Sequence, residues 1–115
     1  MTMANDNNLE KMSSGEAIIR SVINNGVDTV FEIPGAQIYP MFDALHRYSD
    51  QLNTYVSRHE QGAAYMAYGY AKSTGKPSVY SAAPSPGTLN TTAALCTACG
   101  GTAPILCLAG EVPST

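Results

Sequence analysis

One acidic residue, Glu60, lies where an extended stretch of the sequence passes into a helix. The extended stretch covers residues 53–57, and the helix is predicted over residues 61–73. Loops that follow the carboxyl ends of strands are where open α/β sheets bind their ligands. A carboxylate at such a place can accept a hydrogen bond from a ligand, or it can be a first-turn acid that the helix dipole favours. Position alone divides these two interpretations of Glu60 evenly.

Other motifs that could carry chemistry are incomplete. No glycine-rich dinucleotide fingerprint occurs, and residues 73–76 (STGK) lack the upstream glycine of a phosphate-binding loop. His59 and Glu60 are not followed by the second histidine of a zinc-protease motif, and no metal site is predicted. Cys96 and Cys99 fall in the last turn of a predicted helix, not at its start, where a thiol would be activated. We therefore expect the cysteines to be buried small hydrophobes.

Helices and strands alternate along the chain. Strands are predicted over residues 28–33, 53–57, 78–83 and 104–109. Ser13 and Glu16 form a capping box at the start of the first helix. Alternation at this spacing predicts an α/β fold, namely a parallel sheet with helices on both faces and four visible strands.

Two details follow from the last third of the sequence. Residues 84–87 (PSPG) predict a rigid loop, and apolar positions at Leu89, Ala93 and Cys96 indicate a single fourth helix. The final strand is nearly all apolar, which is typical of a sheet covered on both faces.

Composition bounds the class of protein. The 115 residues suit one domain, with 1–12 as a polar, disordered lead-in and 13–115 as the folded part. A formal charge of −3 without a basic cluster argues against nucleic acid or a membrane surface as a partner, and no apolar stretch is long enough to span a bilayer. Three cysteines without a pairing pattern suit a reducing cytoplasm.

Five collinear stretches resemble one known family. They are residues 30–35 (VFEIPG), 58–64 (RHEQGAA), 69–76 (GYAKSTGK), 85–90 (SPGTLN) and 108–112 (LAGEV). From Ser14 to Ser114 the chain resembles the N-terminal, pyrimidine-binding domain of thiamine-diphosphate-dependent enzymes, in the acetolactate synthase-like branch. The resemblance implies part of a 2-keto acid decarboxylase or carboligase, a lyase or transferase, with thiamine diphosphate as its cofactor.

The resemblance gives Glu60 a catalytic role. In this family the matching glutamate hydrogen-bonds a ring nitrogen of the aminopyrimidine. That contact favours the imino tautomer, which removes the thiazolium proton and so leads to the ylide. A carboxylate suits this task because charge-assisted hydrogen bonds are the strong ones.

The resemblance also assigns roles to other residues. Cofactor contacts are implied for Pro34, Gly35, Pro86, Gly87 and Asn90, and contacts with the 2-keto acid substrate for Gln37 and His59. Each has a plainer alternative: a turn at Pro34 and Gly35, helix-start hydrogen bonding by Asn90, and packing or solvent exposure for His59. Tyrosines 65, 68 and 70 would lie in a dimer interface of the family, or would simply pack in the core.

Three positions depart from the family pattern. Ser85 stands where many relatives have glycine, so its backbone is expected to keep a negative φ. Glu32 replaces a common glycine and places a carboxylate where burial is costly. Glu111 occupies a position where glutamine is usual.

The resemblance finally implies a partner. In this family magnesium and the diphosphate are held by a Gly-Asp-Gly motif in a separate C-terminal domain, and these 115 residues contain no such motif. We therefore expect a truncated domain that works with a pyrophosphate-binding domain or subunit, within a homo-oligomer, and that is not active alone. The alternative is a non-catalytic domain that serves as an oligomerisation or structural module. Whether a flavin (FAD) is also bound stays open.

Overall fold

The computed structural model describes residues 11–112, so residues 1–10 of the predicted lead-in lie outside the described residues. The helices are α1 (Ser14–Asn24), α2 (Tyr39–Arg47), α3 (Glu60–Thr74), α4 (Pro86–Leu89) and α5 (Thr92–Gly100). The strands are β1 (Thr29–Glu32), β2 (Asn53–Val56), β3 (Ser78–Ala82) and β4 (Ile105–Ala109), and a 3₁₀ turn (Ala36–Ile38) precedes α2. The predicted alternation of helices and strands is confirmed.

The four strands form one parallel sheet in the order β2-β1-β3-β4. From β1 the chain first moves outwards to β2, and it then crosses back to β3 and β4. The direction of winding therefore reverses between β1 and β3, which is the place where sheets of this kind bind ligands.

Helices cover both faces of the sheet, as predicted. On the side of α1 and α2 the core consists of Ile19, Val22, Val30, Ile38, Met41, Ala44, Leu45, Leu52 and Val79. On the side of α3 and α5 it consists of Phe31, Ala63, Ala64, Ala67, Tyr80 and Ala94. Neighbouring residues of one strand, such as Val30 and Phe31, thus belong to opposite layers, as the alternation of side chains along a strand requires.

Helices α1 and α2 pack backbone against backbone. A Cβ atom at Gly15 would lie 2.5 Å from the carbonyl carbon of Pro40 and 2.6 Å from the nitrogen of Met41. Ser13 caps α1 by accepting a hydrogen bond from the Glu16 N–H, as predicted, while the Glu16 carboxylate forms a 3.0 Å ion pair with Arg47 at the end of α2. Glycine at position 15 is therefore a requirement of this close approach.

Helix α3 is attached to the amino end of the sheet by a polar cluster that the sequence did not predict. Tyr70 donates a hydrogen bond to Asp28 Oδ1 at 2.6 Å, and the ammonium group of Lys76 lies 3.6 Å from Asp28 Oδ2. The hydrogen bond from Tyr70, followed by one from Thr29, holds the pKa of the Asp28 carboxyl below its usual value. The cluster fixes the position of the helix that begins with Glu60.

The predicted fourth helix is wrong as a single element. It is divided into α4 and α5, because Thr91 uses its hydroxyl to bond the Thr88 carbonyl at 2.7 Å and accepts a 3.1 Å bond from the buried Tyr80 hydroxyl. Side-chain bonds of this kind compete with a continuous helix. Leu89, expected on the buried stripe, is instead 67% exposed.

Two expectations about burial are also wrong. Cys96 and Cys99 are exposed and Cys107 is partly buried, because α5 turns Ala94 and Ala98 towards the core. The last strand, β4, is an edge strand of the described sheet and is not fully covered on both faces, with Leu106 51% exposed.

Glu32, one of the three departures from the family pattern, lies at the end of β1. It is 3% exposed, and no group among the described residues donates a hydrogen bond to its Oε2 atom. Burial raises the pKa of this carboxyl from 4.5 to about 7. The expected cost of burial is therefore confirmed, and the charge of Glu32 changes near neutral pH.

The close contact at Gly15 leads to a first prediction. We expect Gly15→Ala to lower the free energy of unfolding by about 1–3 kcal/mol, since the new methyl group meets backbone that cannot rotate away. Gly69→Ala is the matched control, because a Cβ there meets open space. In mid-helix that change should instead stabilise by up to about 1 kcal/mol. Urea unfolding followed by circular dichroism measures both, and equal effects would contradict the packing argument.

A second prediction concerns pH. Because the folded state holds the Glu32 proton more tightly than the unfolded chain, stability is complete below pH 4.5 and falls until about pH 7. We expect Glu32→Gln to gain up to about 3 kcal/mol over the wild type across that window. The measurement is the unfolding free energy of both proteins at several pH values. Asp50→Asn, a change at an exposed acid, should keep the loss of stability over that window, because Glu32 is still present.

Candidate functional site

The candidate site lies at the carboxyl edge of the sheet, where the loops after β1 and β3 touch. A Cβ atom at Gly35 would lie 2.6 Å from the Cβ of Ala83, so the first loop fits against the second because residue 35 has no side chain. Pro34 precedes this contact and is exposed, and Pro86 is exposed as the first residue of α4. The two loops therefore meet where the winding of the sheet reverses.

Glu60 reaches this place from the start of α3 and contacts the segment that follows β3. Asn90 Nδ2 donates a hydrogen bond to Glu60 Oε2 at 3.0 Å. A Cβ atom at Gly87 would lie 3.4 Å from Glu60 Oε1, in contact distance. Glu60, Gly87 and Asn90, three of the residues that the sequence singled out, are thus brought together from two different segments.

The environment of Glu60 keeps its carboxyl group ionised. The hydrogen bond from Asn90, and secondly one from its own backbone N–H, hold the pKa of Glu60 below its usual value, although partial burial acts in the opposite direction. At neutral pH the group is a carboxylate, which accepts hydrogen bonds and donates none. It can hold a cationic or N–H donor at the edge of the site.

His59 fixes the start of α3. Its Nδ1 atom accepts a hydrogen bond from the Gln61 N–H at 3.2 Å, and the Ser57 hydroxyl donates to the His59 carbonyl at 2.9 Å. The imidazole therefore acts as a helix cap, and this bond satisfies one of the amides that a helix start leaves without a partner. A contact between His59 and a substrate stays a prediction.

Gln37 lies apart from Glu60. It lines a cavity of about 380 Å³ between α1, the start of α2 and β4, together with Ile18, Met41 and Leu108. Glu60 does not line this cavity. The structure does not bring Gln37 together with Glu60, and its predicted contact with a substrate stays untested.

Ser85 has a backbone conformation that favours glycine. Its φ is 60° and its ψ is −117°, so the prediction of a negative φ at Ser85 is wrong. Serine is held in this sparsely populated region by the flanking elements, β3 on one side and α4 on the other. Strain of this kind collects at functional sites. Glu111, the other departure from the pattern, is exposed two residues after β4, and nothing in the structure explains it.

Three hydroxyl groups that the sequence analysis missed support this loop. The Thr88 hydroxyl donates to the Ala83 carbonyl at 2.9 Å, and the bonds from Tyr80 to Thr91 and from Thr91 to Thr88 continue the chain of contacts. They hold the α4 segment, and with it Asn90, against the end of β3. The threonine-rich run 88–92 was a usable signal, since threonines bond to nearby backbone groups.

Two kinds of feature are absent from the described residues. Within residues 11–112, no group of three or more His, Cys, Asp or Glu side chains could hold a metal ion. In the same part of the chain, no helix is long and apolar enough to cross a membrane.

Comparison with known proteins gives a consistent result. Residues 12–115 match the model of the family described as thiamine pyrophosphate enzyme, N-terminal TPP binding domain. The chain is 36% identical over 110 residues to the mitochondrial catalytic subunit of acetolactate synthase from Saccharomyces cerevisiae, covering 96% of this chain and 16% of that protein. It is 36% identical over 106 residues to the large subunit of acetolactate synthase isozyme 1 from Escherichia coli, covering 92% of this chain and 19% of the relative.

A third relative is acetolactate synthase from Mycobacterium avium, which is 38% identical over 106 residues, or 92% of this chain and 17% of the relative. The chain thus spans less than a fifth of the length of the curated relatives described here.

The positive φ of Ser85 leads to a third prediction. We expect Ser85→Gly to raise the free energy of unfolding by about 1 kcal/mol, because relief of strain outweighs the entropy that glycine adds to the unfolded chain. Ser85→Ala is the matched control, since it removes the hydroxyl and keeps the strained Cβ. Thermal and urea unfolding of the three proteins should show a gain for glycine alone, and a loss with glycine would contradict the assignment of strain.

Proposed function

Because the chain belongs to the thiamine pyrophosphate enzymes, as an N-terminal TPP-binding domain, we propose that it is the cofactor-activating portion of a 2-keto acid decarboxylase or carboligase similar to acetolactate synthase. Glu60 is the proposed catalytic residue. The observation that carries the proposal is the hydrogen bond from Asn90 to Glu60, directly beside Gly87.

The residues at this edge fit an aminopyrimidine. Glu60 is ionised and only partly buried, and a carboxylate has lone pairs on both oxygens, so it can accept a further hydrogen bond from a ring nitrogen beside those from Asn90 and its own N–H. The missing side chain of Gly87 leaves space beside Oε1 that a Cβ would fill. When bound, thiamine diphosphate supplies the electron sink that decarboxylation of a 2-keto acid needs.

Each residue of the proposed site has a distinct task. Glu60 accepts a hydrogen bond from the ring nitrogen and stabilises a proton there, which a carboxylate does better than a neutral acceptor. Asn90 orients that carboxylate and keeps it ionised. Gly87 lets the backbone approach the flat ring, and the contact of Gly35 with Ala83 shapes the neighbouring edge together with Pro34 and Pro86.

His59 and Gln37 are the proposed contacts with the 2-keto acid substrate. The Nδ1 atom of His59 is engaged in capping α3, so its Nε2 side is the part that could face a 2-keto acid. Gln37 lines a cavity that does not include Glu60, so a substrate that contacts both residues would have to extend from one to the other. Both remain proposals for the substrate side.

A complete site needs more than this domain. We propose that magnesium and the diphosphate are held by a pyrophosphate-binding domain or subunit, and that the assembly is a homo-oligomer in the cytoplasm. Exposed apolar side chains on α3, including Tyr65 and Met66, support an interface, whereas Tyr70 is bound within this chain to Asp28. The alternative, a non-catalytic structural module, is favoured by one observation, the buried Glu32 at a position where the family pattern has glycine.

A fourth prediction tests the catalytic role. In the complete assembly, we expect Glu60→Gln to lower kcat for pyruvate by about 10²- to 10⁴-fold, because glutamine cannot stabilise a proton on the ring nitrogen. Binding of thiamine diphosphate with magnesium, measured by calorimetric titration, should change much less. Asp50→Asn, an exposed acid that precedes β2 at the opposite edge of the sheet, is the control and should leave kcat unchanged.

The same assembly tests the task of Asn90. Without its hydrogen bond the pKa of Glu60 should rise, so Asn90→Ala should move the acidic limb of the pH profile of kcat/KM to higher pH.

Unchanged turnover in Glu60→Gln would remove the catalytic assignment and would favour the structural module.

A further inference from the structure

A second cavity lies on the other side of β1 from the layer of α3. It has a volume of about 310 Å³ and is lined by Glu32, Phe42, Leu45, His46, Ser49, Thr54 and Val56. Glu32 follows Val30 by two residues and therefore points to the same face, towards α2. The register pairs Val30 with Thr54 and Glu32 with Val56, which places both β2 residues on that face as well.

Glu32 contributes a buried acidic side chain to the wall of this cavity. Its side chain is more than nine-tenths buried, and its Oε2 atom has no hydrogen-bond partner among the described residues. No lysine or arginine lines the cavity. Arg47 of the neighbouring helix forms ion pairs with Glu16 and Asp43 instead. A buried carboxylate without a partner is costly, and a cation that donates hydrogen bonds is its best partner.

The rest of the lining narrows the chemistry of the ligand. Phe42, Leu45 and Val56 form apolar walls, whereas Ser49 and Thr54 add two hydroxyl oxygens. Calcium and magnesium take six or more oxygen ligands and would find too few here. The volume lies at the lower end of the range for small-molecule sites.

We propose that this cavity binds a small alkylammonium cation, with the Glu32 carboxylate as its counter-ion. The ammonium group donates to the carboxylate and to the hydroxyls of Ser49 and Thr54, and the alkyl chain packs on Phe42 and Leu45. This site goes beyond the proposed function, because it lies on the α2 side of the sheet and shares no residue with Glu60, Gly87 and Asn90.

The raised pKa of Glu32 gives the site a pH dependence. Binding of a cation favours the ionised carboxyl, so affinity should increase from pH 6 to pH 8. His46, on α2, is the other titratable residue that lines the cavity, and the β2 residues add none. His46→Gln removes this second group, and it therefore separates any contribution of His46 from that of Glu32.

The experiment titrates n-butylammonium chloride into the 115-residue chain at pH 8, with sodium chloride at matched ionic strength. Calorimetry gives Kd, and backbone amide shifts of Glu32, Thr54 and Val56 report the place of binding. We expect saturable binding, with 1-butanol at least about tenfold weaker because it lacks the charge. Nα-acetyl-lysine methylamide distinguishes a free amine from a lysine side chain of a partner as the natural source, by which of the two binds more tightly.

Three variants complete the test. Glu32→Gln should raise Kd for n-butylammonium at least about tenfold and abolish most of its pH dependence, whereas Asp50→Asn should leave both unchanged. Thr54→Phe fills the cavity and should block binding with Glu32 still present, in case the first variant alters the fold. Equal affinity in Glu32→Gln, equal affinity for 1-butanol, or no saturable binding by either amine would overturn the proposal.

Discussion

The parallel direction of four short strands is the constraint on which the candidate site depends. Because every strand points the same way, the loops after β1, β2 and β3 all open at one edge of the sheet, although they are far apart in the sequence. Strands β1 and β3 are neighbours in the sheet, so the loops that follow them lie side by side, and the missing side chain at Gly35 lets those loops touch. Glu60 and Asn90 then meet at this edge through a direct hydrogen bond.

Two glutamates near this edge show how local surroundings decide the charge of the same side chain. Glu60 is partly open to water and accepts a hydrogen bond from Asn90, which lowers the pKa of its carboxyl. Glu32 is buried with one oxygen unsatisfied, and this burial raises the pKa of its carboxyl. Pairs of acids whose pKa values are moved in opposite directions are typical of functional regions. In this domain the two lie on different faces of the sheet, so each can serve a separate ligand.

Local signals in the sequence predicted most of the fold. The alternation of apolar runs predicted α3 and all four strands within one or two residues, and the capping serine at Ser13 predicted the start of α1. A family resemblance singled out Glu60 as a candidate. The remaining features depend on contacts between distant residues. The division of α4 from α5 follows from a buried Tyr80 that bonds Thr91, and the positive φ of Ser85 follows from elements that hold it on both sides. Neither the bond between Tyr80 and Thr91 nor the conformation of Ser85 can be predicted from the neighbouring sequence.

Helix α3 is held at both ends, by the His59 cap at its start and by the bond from Tyr70 to Asp28 further along. Tyr70 and Glu60 are ten residues apart, or about 15 Å along a helix. The helix therefore connects the carboxyl end of the sheet with its amino end as one rigid element. A substitution at Asp28 would displace the Glu60 carboxylate while touching no ligand. In a mutational scan, Asp28 would then resemble a residue of the candidate site, although it contributes only by aligning α3.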